Sequence, residues 1–261
     1  MSFQGIATAP ARADNPPVPT LLAVIPHPDD ESYSFGGTIA LASRAGWRCV
    51  VVCASSGERG KRHDGVLVRK EGVGTAREQE LAASCKLLGA QPPRFLRLPD
   101  GGLSGQPSRA GMLRSLVDEI APDVILALGA DGAYGHPDHI AVYHWVAEAW
   151  RALSGPRPEL LFAAFPAGLF LPQYEKCIEM MGNPPSPAAA DIGSASFDYE
   201  VDIRPVARVK LSAIRAHRSQ LPGGDPEALF PAGIVSRLLE VERFRDARGL
   251  GHASLLDSLT G

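Results

Sequence analysis

The sequence lacks the features that mark secreted, membrane-spanning or nucleic-acid-binding proteins. Only four of its 261 residues are cysteine and no C-x-x-C pair occurs, which argues against a disulfide framework and indicates buried free thiols in a reducing compartment. No segment approaches the roughly 20 apolar residues that a membrane helix needs. The formal net charge of −3 gives no electrostatic basis for binding nucleic acid or an anionic membrane. We therefore expect a cytoplasmic protein that acts on a small molecule, and a homo-oligomer is compatible with the sequence.

The amino terminus differs in composition from the rest of the chain. Residues 1–18 are rich in alanine and proline and have neither the basic region nor the apolar region of a secretory signal, so we expect a flexible leader there. Residues 19–261 contain no internal repeat and no change in composition that would separate two domains. We expect them to form one domain, because their number is sufficient for a substantial core.

Strand and helix signals alternate through most of this segment. Apolar or β-branched runs indicate buried strands at residues 21–26, 48–54, 94–98, 123–128 and 159–164. Helical patterns separate these strands at residues 37–45, 75–88, 108–120 and 137–153. This alternation predicts an α/β fold with a mostly parallel sheet and helices on both faces.

The pattern weakens after Pro166. Residues 181–196 predict a loop or a mobile cap, because proline and small residues dominate there. Regular patterns then return and predict a strand at 199–203, a helix at 205–220, a helix at 227–239 and an edge strand at 240–245.

Two clusters of histidine and aspartate follow predicted strands. His27-Pro28-Asp29-Asp30-Glu31 comes directly after the strand at 21–26, and Tyr134-Gly135-His136-Pro137-Asp138-His139 follows the strand at 123–128. Sites in parallel sheets gather at the carboxyl ends of the strands. So much charge at the ends of buried strands predicts that the two clusters form one site.

The residue types of these clusters fit a catalytic metal site. Zinc in such sites takes three protein ligands and keeps one position for water, and His27, Asp30 and His139 can supply the three. A metal of this kind lowers the pKa of bound water from about 15.7 towards about 7, and Asp29 beside it can accept the proton. His136 fits either stabilisation of the oxyanion or donation of a proton to the leaving group. The set suits hydrolysis of an amide or an ester.

Both clusters resemble the paired signatures of the LmbE-like family, also called the PIG-L family of zinc-dependent de-N-acetylases. The resemblance runs from about residue 21 to about residue 220, is thin between residues 166 and 196, and includes Ser55-Ser56-Gly57-Glu58, Ala76-Arg77-Glu78-Gln79-Glu80-Leu81, Leu98-Pro99-Asp100-Gly101-Gly102-Leu103 and Ala216-His217-Arg218-Ser219-Gln220. It implies a Rossmann-like domain that cleaves N-acetylglucosamine-containing glycosides or related conjugates to a free amine and acetate.

The resemblance also implies a role for each matched residue. The zinc ligands would be His27, Asp30 and His139. The general base would be Asp29, and the residue that stabilises the oxyanion would be His136. Arg77 and Asp100 match positions at which the family binds or orients a sugar. Tyr134 matches a tyrosine that polarises the substrate carbonyl. Two histidines and one aspartate also accept Fe(II) or another divalent ion in place of zinc.

Simpler interpretations of several residues stay open. Asp29 can be only an acceptor near the metal, His136 can hold its loop, and Tyr134 can simply pack. Arg77 stands beside two glutamates at a helix start, where an ordinary surface ion pair is common. Asp100 precedes two glycines and can be a turn former.

The remaining acidic and histidine residues receive structural interpretations. Glu31 can cap the following helix or orient His27. His217 can reach the mouth of the site, although helix packing explains it as well. We expect the others to be solvated or structural, namely His63, His144 and His252.

The sequence thus predicts a metal-dependent hydrolase that removes an N-acyl group, in the first place N-acetyl, from an amino-sugar substrate. One alternative is an amidase or deacylase of a thiol conjugate or a secondary metabolite, with the same metal site and a different pocket. The other is a non-catalytic, metal-containing sugar-binding module, which has no need for the spare carboxylate of Asp29. We expect the loops at 57–74 and 166–196 to determine selectivity.

Overall fold

The computed structural model describes residues 18–63, 72–181, 187–249 and 253–259. The leader expected at residues 1–18 lies outside these ranges, apart from its last residue. His252 and parts of both expected selectivity loops also lie outside them.

The described residues contain seven strands, which are β1 (Thr20–Ile25), β2 (Arg48–Ser55), β3 (Arg94–Leu98), β4 (Val124–Leu128), β5 (Glu159–Ala163), β6 (Tyr199–Asp202) and β7 (Val241–Asp246). They form one sheet in the order β3-β2-β1-β4-β5-β7-β6. Strands β1 to β5 pair in parallel, and β7 pairs antiparallel with both β5 and β6. The expected α/β fold with a mostly parallel sheet is confirmed.

The α-helices of the described residues are α1 (Asp30–Ser34), α2 (Gly36–Arg44), α3 (Val73–Leu88), α4 (Ala110–Ile120), α5 (Gly132–Gly135), α6 (Pro137–Arg151), α7 (Leu171–Met181), α8 (Ala207–Ala216) and α9 (Ile234–Leu238). Local signals set several of their ends. Helix α3 ends at Gly89, whose φ of 76° is the left-handed conformation that glycine adopts at low cost. Pro137 is the first residue of α6. A proline is tolerated there because the first N–H groups of a helix have no acceptor within the helix.

Both faces of the sheet are covered by apolar packing. Ile39 and Leu81 belong to the core on one face, whereas Leu113 and Trp145 belong to the core on the other. Strands β1, β4 and β5 are buried along their whole length, which explains why their sequences are continuous apolar runs.

The strand order reverses between β1 and β4. Strand β1 has β2 on one side and β4 on the other, with Val24 level with Ala127 in the parallel register. The chain leaves these two strands in opposite directions across the sheet, so a crevice forms outside their carboxyl ends. The segments that follow Ile25 and Leu128 line this crevice.

Strand β7 corrects one prediction. Residues 240–245 were expected to form an edge strand, but β7 lies inside the sheet, between β5 and β6. The carboxylate of Glu242 in this strand is buried and bonded. It accepts the backbone N–H groups of Gly37 and Thr38 (both 2.7 Å) and the ammonium of Lys210 (2.7 Å).

The helix predicted at residues 227–239 is also wrong as one element. The structure has a 3₁₀ turn at Pro226–Leu229 and then the short helix α9. Pro231 disfavours a helical conformation in the residue before it, and Gly233 has a φ of 87°. Both residues interrupt a continuous helix.

Helix α7 lies in the region after Pro166 where the strand–helix alternation weakens, and it was not predicted. The loop expected at 181–196 is described only from residue 187 onward, where a 3₁₀ turn at Ala189–Asp191 interrupts it.

All four cysteines are buried thiols, as expected. No helix in the described part of the chain has both the length and the apolar character needed to cross a membrane.

Candidate active site

The two His/Asp clusters meet in the crevice at the ends of β1 and β4. His27 and Asp30 follow β1, and His139 stands in the first turn of α6, just after β4. The Nδ1 atom of His27 lies 3.3 Å from Nε2 of His139 and 3.6 Å from Oδ2 of Asp30. The distance from His139 Nε2 to Asp30 Oδ1 is 3.5 Å. The three side chains therefore place possible ligand atoms around one common position.

These distances match the donor spacing of a small divalent ion. Zinc bonds of about 2.0–2.1 Å in a tetrahedron place neighbouring donor atoms about 3.3 Å apart. His139 donates from Nδ1 to the carbonyl of Gly132 (3.1 Å), which leaves its Nε2 lone pair free to bind a metal. The donor set thus fits the ion that the sequence implies.

A second group of residues approaches His27 from the other side of its ring. Its Nε2 atom lies 3.1 Å from Oδ1 of Asp100 and 3.4 Å from Oδ2 of Asp138. Burial opposes protonation of His27, but its hydrogen bonds to these carboxylates and to Asp30 outweigh burial and raise its pKa well above the usual value. The carboxylates orient the ring so that Nδ1 faces Asp30 and His139.

Asp138 was not singled out in the sequence, although it lies within the second cluster. Its Oδ1 accepts the backbone N–H groups of Leu103 (2.9 Å) and Ser104 (3.4 Å). His27, His136 and Asp138 form a second group that could hold an ion. Because Asp138 already has these backbone partners, it is better suited to orienting His27 than to binding a metal.

Asp29 lies beside this donor set in a strained backbone conformation. Its φ is 118°, a value that few residues other than glycine adopt. Burial raises the pKa of Asp29 to about 6, even though the guanidinium of Arg77 lowers it. A carboxylate with a pKa near neutrality suits a general base.

Glu31 holds the backbone of Asp29 in place. It is fully buried, and its Oε2 accepts the N–H of Asp29 (3.1 Å). Its Oε1 accepts the hydroxyl of Ser84 (2.5 Å) and faces Nε2 of His217 at 2.8 Å. Burial lowers the pKa of His217, but the attraction of Glu31 outweighs it and raises the pKa. Of the two roles considered for Glu31, the orientation of His27 is wrong, because the partners of Glu31 are other residues. His217 is buried and does not reach the mouth of the site.

Arg77 does not form the surface ion pair that its neighbours suggested. Only 5% of Arg77 is exposed, and its Nη2 donates to Asp29 Oδ2 (3.1 Å) and to the carbonyl of Pro28 (2.5 Å). Its Nη1 donates to the carbonyl of Gly57 (3.0 Å). The neighbouring carboxylates have other partners, since Glu78 pairs with Arg97 and Glu80 accepts from Ser219.

Asp100 is likewise more than a turn former. Beyond its contact with His27, its Oδ2 accepts the backbone N–H of Arg59 (2.7 Å). Burial raises the pKa of Asp100, but the hydrogen bond and charge of His27 outweigh burial and lower the pKa to about 2. Direct contact of Asp100 or Arg77 with a substrate stays a prediction, because the contacts that the structure shows are within the protein.

His136 stands at the start of α6 as its cap. Its Nδ1 accepts the N–H of Asp138 (3.2 Å), and its ring stacks on His139 with centroids 4.6 Å apart. Burial first, and then the nearby His139 and His27, lower its pKa to about 3. A neutral ring that accepts at Nδ1 carries its proton on Nε2, so His136 can donate a hydrogen bond to an oxyanion.

Tyr134 packs edge-on against His139, with ring centroids 5.3 Å apart. Burial raises the pKa of its hydroxyl well above the usual value, so the hydroxyl keeps its proton. Together with Asp29, Asp30 and His139, Tyr134 lines a cavity of about 210 Å³. A substrate carbonyl in this cavity would lie close to Asp29, Tyr134 and His139.

Comparisons with known proteins show which family this chain is similar to. Residues 22–150 match the PIG-L family model, described as GlcNAc-PI de-N-acetylase. A 1D-myo-inositol 2-acetamido-2-deoxy-alpha-D-glucopyranoside deacetylase from Nakamurella multipartita is 31% identical over 84% of this chain and 83% of its own length.

Solved structures share the fold. An N,N'-diacetylchitobiose deacetylase from Pyrococcus horikoshii superposes with a TM-score of 0.59 and 24% identity, over 87% of this chain and 83% of its own. A 4-carboxy-2-hydroxymuconate hydratase from Pseudomonas putida gives a TM-score of 0.62 with 20% identity, over 91% of this chain and all of its own. The fold therefore supports more than one reaction, and the residues of the site must decide between them.

Proposed function

The chain belongs to the PIG-L family of de-N-acetylases, and from this premise we propose that it is a metal-dependent hydrolase acting on N-acetylated amino sugars. The observation that carries the proposal is the convergence of His27 Nδ1, His139 Nε2 and Asp30 within 3.3–3.6 Å of one another, with the carboxylate of Asp29 beside them. A binding module would need the first three residues but not the fourth.

His27, Asp30 and His139 would hold the ion. When bound there, a divalent ion lowers the pKa of a water molecule and polarises the substrate carbonyl. We propose zinc, because two histidines and one aspartate form a set typical of catalytic zinc. Fe(II) is the alternative that the same donors accept.

Asp29 takes the proton of the attacking water and transfers it toward the departing amine. Its environment supports both steps, since burial raises its pKa while Arg77 keeps the charged form accessible. Arg77 also fixes the carboxylate in position, because its other contacts are rigid backbone carbonyls. The strained backbone of Asp29 is held by Glu31.

His136 donates from Nε2 to the oxygen of the tetrahedral intermediate. The hydroxyl of Tyr134 stays protonated and donates to the same oxygen. Two neutral donors of this kind, fixed in a buried site, can each contribute about 2–4 kcal/mol to stabilising the transition state.

The sugar part of the substrate is proposed to approach Arg77 and Asp100, as their match to the family suggests. The backbone of the 57–59 segment is hydrogen-bonded to both side chains: the N–H of Arg59 donates to Asp100, and Arg77 donates to the carbonyl of Gly57. Contact of these two side chains with a substrate would therefore require this segment to move. A thiol conjugate or a secondary metabolite that carries an N-acyl amine would use the same catalytic residues.

One assay tests the proposal. The protein is loaded with zinc or with Fe(II) and incubated with N-acetylglucosamine, its glycosides and N-acylated thiol conjugates, and the primary amine released is measured with and without a chelator. We expect amine from at least one N-acetylated sugar and its loss in chelator. No amine from any compound, with one equivalent of metal bound, would favour the binding module instead.

A further inference from the structure

The cavity beside the catalytic residues has an apolar wall. Besides Asp29, Asp30 and His139, its lining includes Phe165, Phe170 and Phe230. The wall combines three separate parts of the chain: the segment after β5, the start of α7 and the end of the 3₁₀ turn at Pro226–Leu229. Such a wall is not required for hydrolysis of an amide.

The aromatic rings of the wall support one another. Phe165 and Phe170 pack edge to face with centroids 4.7 Å apart, and Phe170 and Phe230 are 5.9 Å apart. Tyr33, on α1, closes the wall against Phe230 at 5.4 Å. Because the rings are already in contact, a ligand does not need to order them, which favours binding.

This wall does not suit the hydroxylated face of a sugar. Burying a hydroxyl without a partner is unfavourable, and the three phenylalanine rings of the wall offer no hydrogen-bonding group. The side-chain N–H of Gln173 donates to the carbonyl of Leu229 (3.4 Å). Two polar atoms of the cavity lining, the hydroxyl of Tyr33 and Oε1 of Gln173, are buried without a hydrogen-bond partner among the described residues. They can bind a polar atom of the ligand beside its apolar part, but they do not match a sugar face with several hydroxyls.

The size of the cavity also exceeds what an acetyl group needs. Its volume is about 210 Å³, and an apolar cavity of about 150 Å³ accommodates benzene. The space beside the reacting carbonyl therefore has room for a six-membered aromatic ring or a branched alkyl group.

We propose, on the basis of the proposed function, that the substrate carries an apolar, ring-sized group next to the scissile amide and that this wall binds it. The group belongs either to the acyl part of the amide or to the aglycone of the sugar. Both sources present the same chemistry to Phe165, Phe170 and Phe230, and two substrate series distinguish them.

In the first series, N-acetylglucosamine is compared with N-benzoylglucosamine. In the second, methyl N-acetyl-β-glucosaminide is compared with the phenyl glycoside. We expect kcat/KM to rise about 10- to 100-fold with the ring in one of the series, which is the gain expected for burying an aromatic side chain. Phe230→Ala should reduce that preference about tenfold. Phe197→Ala is the matched control, because this half-buried ring packs under Arg243 and does not line the cavity.

Binding provides a measurement that does not depend on turnover. Calorimetry compares phenyl with methyl β-glucosaminide and benzoate with acetate, and the ring-bearing ligand of one pair should bind at least tenfold more tightly in a Phe230-dependent way. Equal binding in both pairs, with flat kcat/KM, would overturn the inference while amine release from N-acetylglucosamine still supports the proposed function. Selective binding of the ring without any amine release would support the inference and overturn the proposed function.

Discussion

Arg77 donates to the carboxylate of Asp29 over 3.1 Å, and the same nitrogen also donates to the carbonyl of Pro28. The guanidinium thus joins Asp29, the proposed base, to the turn that follows β1. A planar group with several fixed N–H donors can make these contacts together with the one to Gly57, whereas an ammonium cannot.

We expect Arg77→Lys to lower kcat at least tenfold while the metal content of the purified protein stays unchanged. Lysine keeps the charge but has only one side-chain nitrogen, so it cannot replace the contacts of both Nη1 and Nη2, and Asp29 is less well positioned. Kinetics and metal analysis on the same preparations check this. Loss of metal together with activity would show that Arg77 supports the fold of the donor set instead.

Gly57→Ala should also lower kcat, because it displaces the guanidinium of Arg77 without changing Arg77 itself. Gly57 has a φ of 64°, and an added Cβ would lie 2.3 Å from Nη1 of Arg77, so the guanidinium must move. Gly155→Ala is the matched control, because Gly155 has a φ of 84° and nothing within 4 Å of an added Cβ. Both variants should lose about 1 kcal/mol of stability, but only Gly57→Ala should lose activity. Equal activity in the two variants would contradict the proposed importance of the Arg77 contact.

Asp29→Asn and His27→Ala should separate catalysis from metal binding. We expect Asp29→Asn to retain the metal and lose about 100- to 10,000-fold in kcat, the range typical of a general base. His27→Ala should lose both metal and activity. Metal at full occupancy in His27→Ala would show that His27 is not a ligand.

Lys210 and Glu242 form a buried ion pair whose disruption should destabilise the fold. Both side chains are almost fully buried, with Nζ and Oε1 2.7 Å apart. Lys210→Met leaves the charge of Glu242 uncompensated and should cost about 3–5 kcal/mol in urea unfolding. Adding Glu242→Gln should recover part of this loss, since glutamine is neutral and still accepts one N–H from α2. No recovery would mean that packing, and not charge, dominates.

Asp246 should make stability depend on pH in the acid range. Burial raises its pKa, but hydrogen bonds from Arg248 outweigh burial and hold the pKa below its usual value. The stabilisation is therefore present above the unfolded pKa of about 3.9 and is lost as the pH falls through the folded value. Asp246→Asn should cost about 1–2 kcal/mol at pH 7, and the difference from wild type should shrink below about pH 4. Glu175→Gln, an exposed carboxylate, should differ from wild type by less than about 0.5 kcal/mol. A constant Asp246→Asn deficit across this range would contradict the pKa assignment.

The first five strands and the meeting of the two His/Asp clusters could be predicted, because apolar runs and strand-end motifs are local signals. The partners of Arg77 and Glu31 could not, since they depend on how α3 and α8 pack against the turn after β1. His217 shows this well: it is 186 residues from Glu31 in sequence, yet 2.8 Å from it in space. The inner position of β7 could not be predicted for the same reason, since the partners of Glu242 are on α2 and α8, which are distant in sequence.

His27 and His139 are 112 residues apart in the sequence, so they are synthesised at different times. At about 5–20 residues per second, His139 leaves the ribosome about 6–22 s after His27. Until then the nascent chain has only His27 and Asp30 of the three proposed ligands. Binding of the proposed ion would therefore have to wait until β4 pairs with β1, and a chain truncated before α6 would have only two of these three residues.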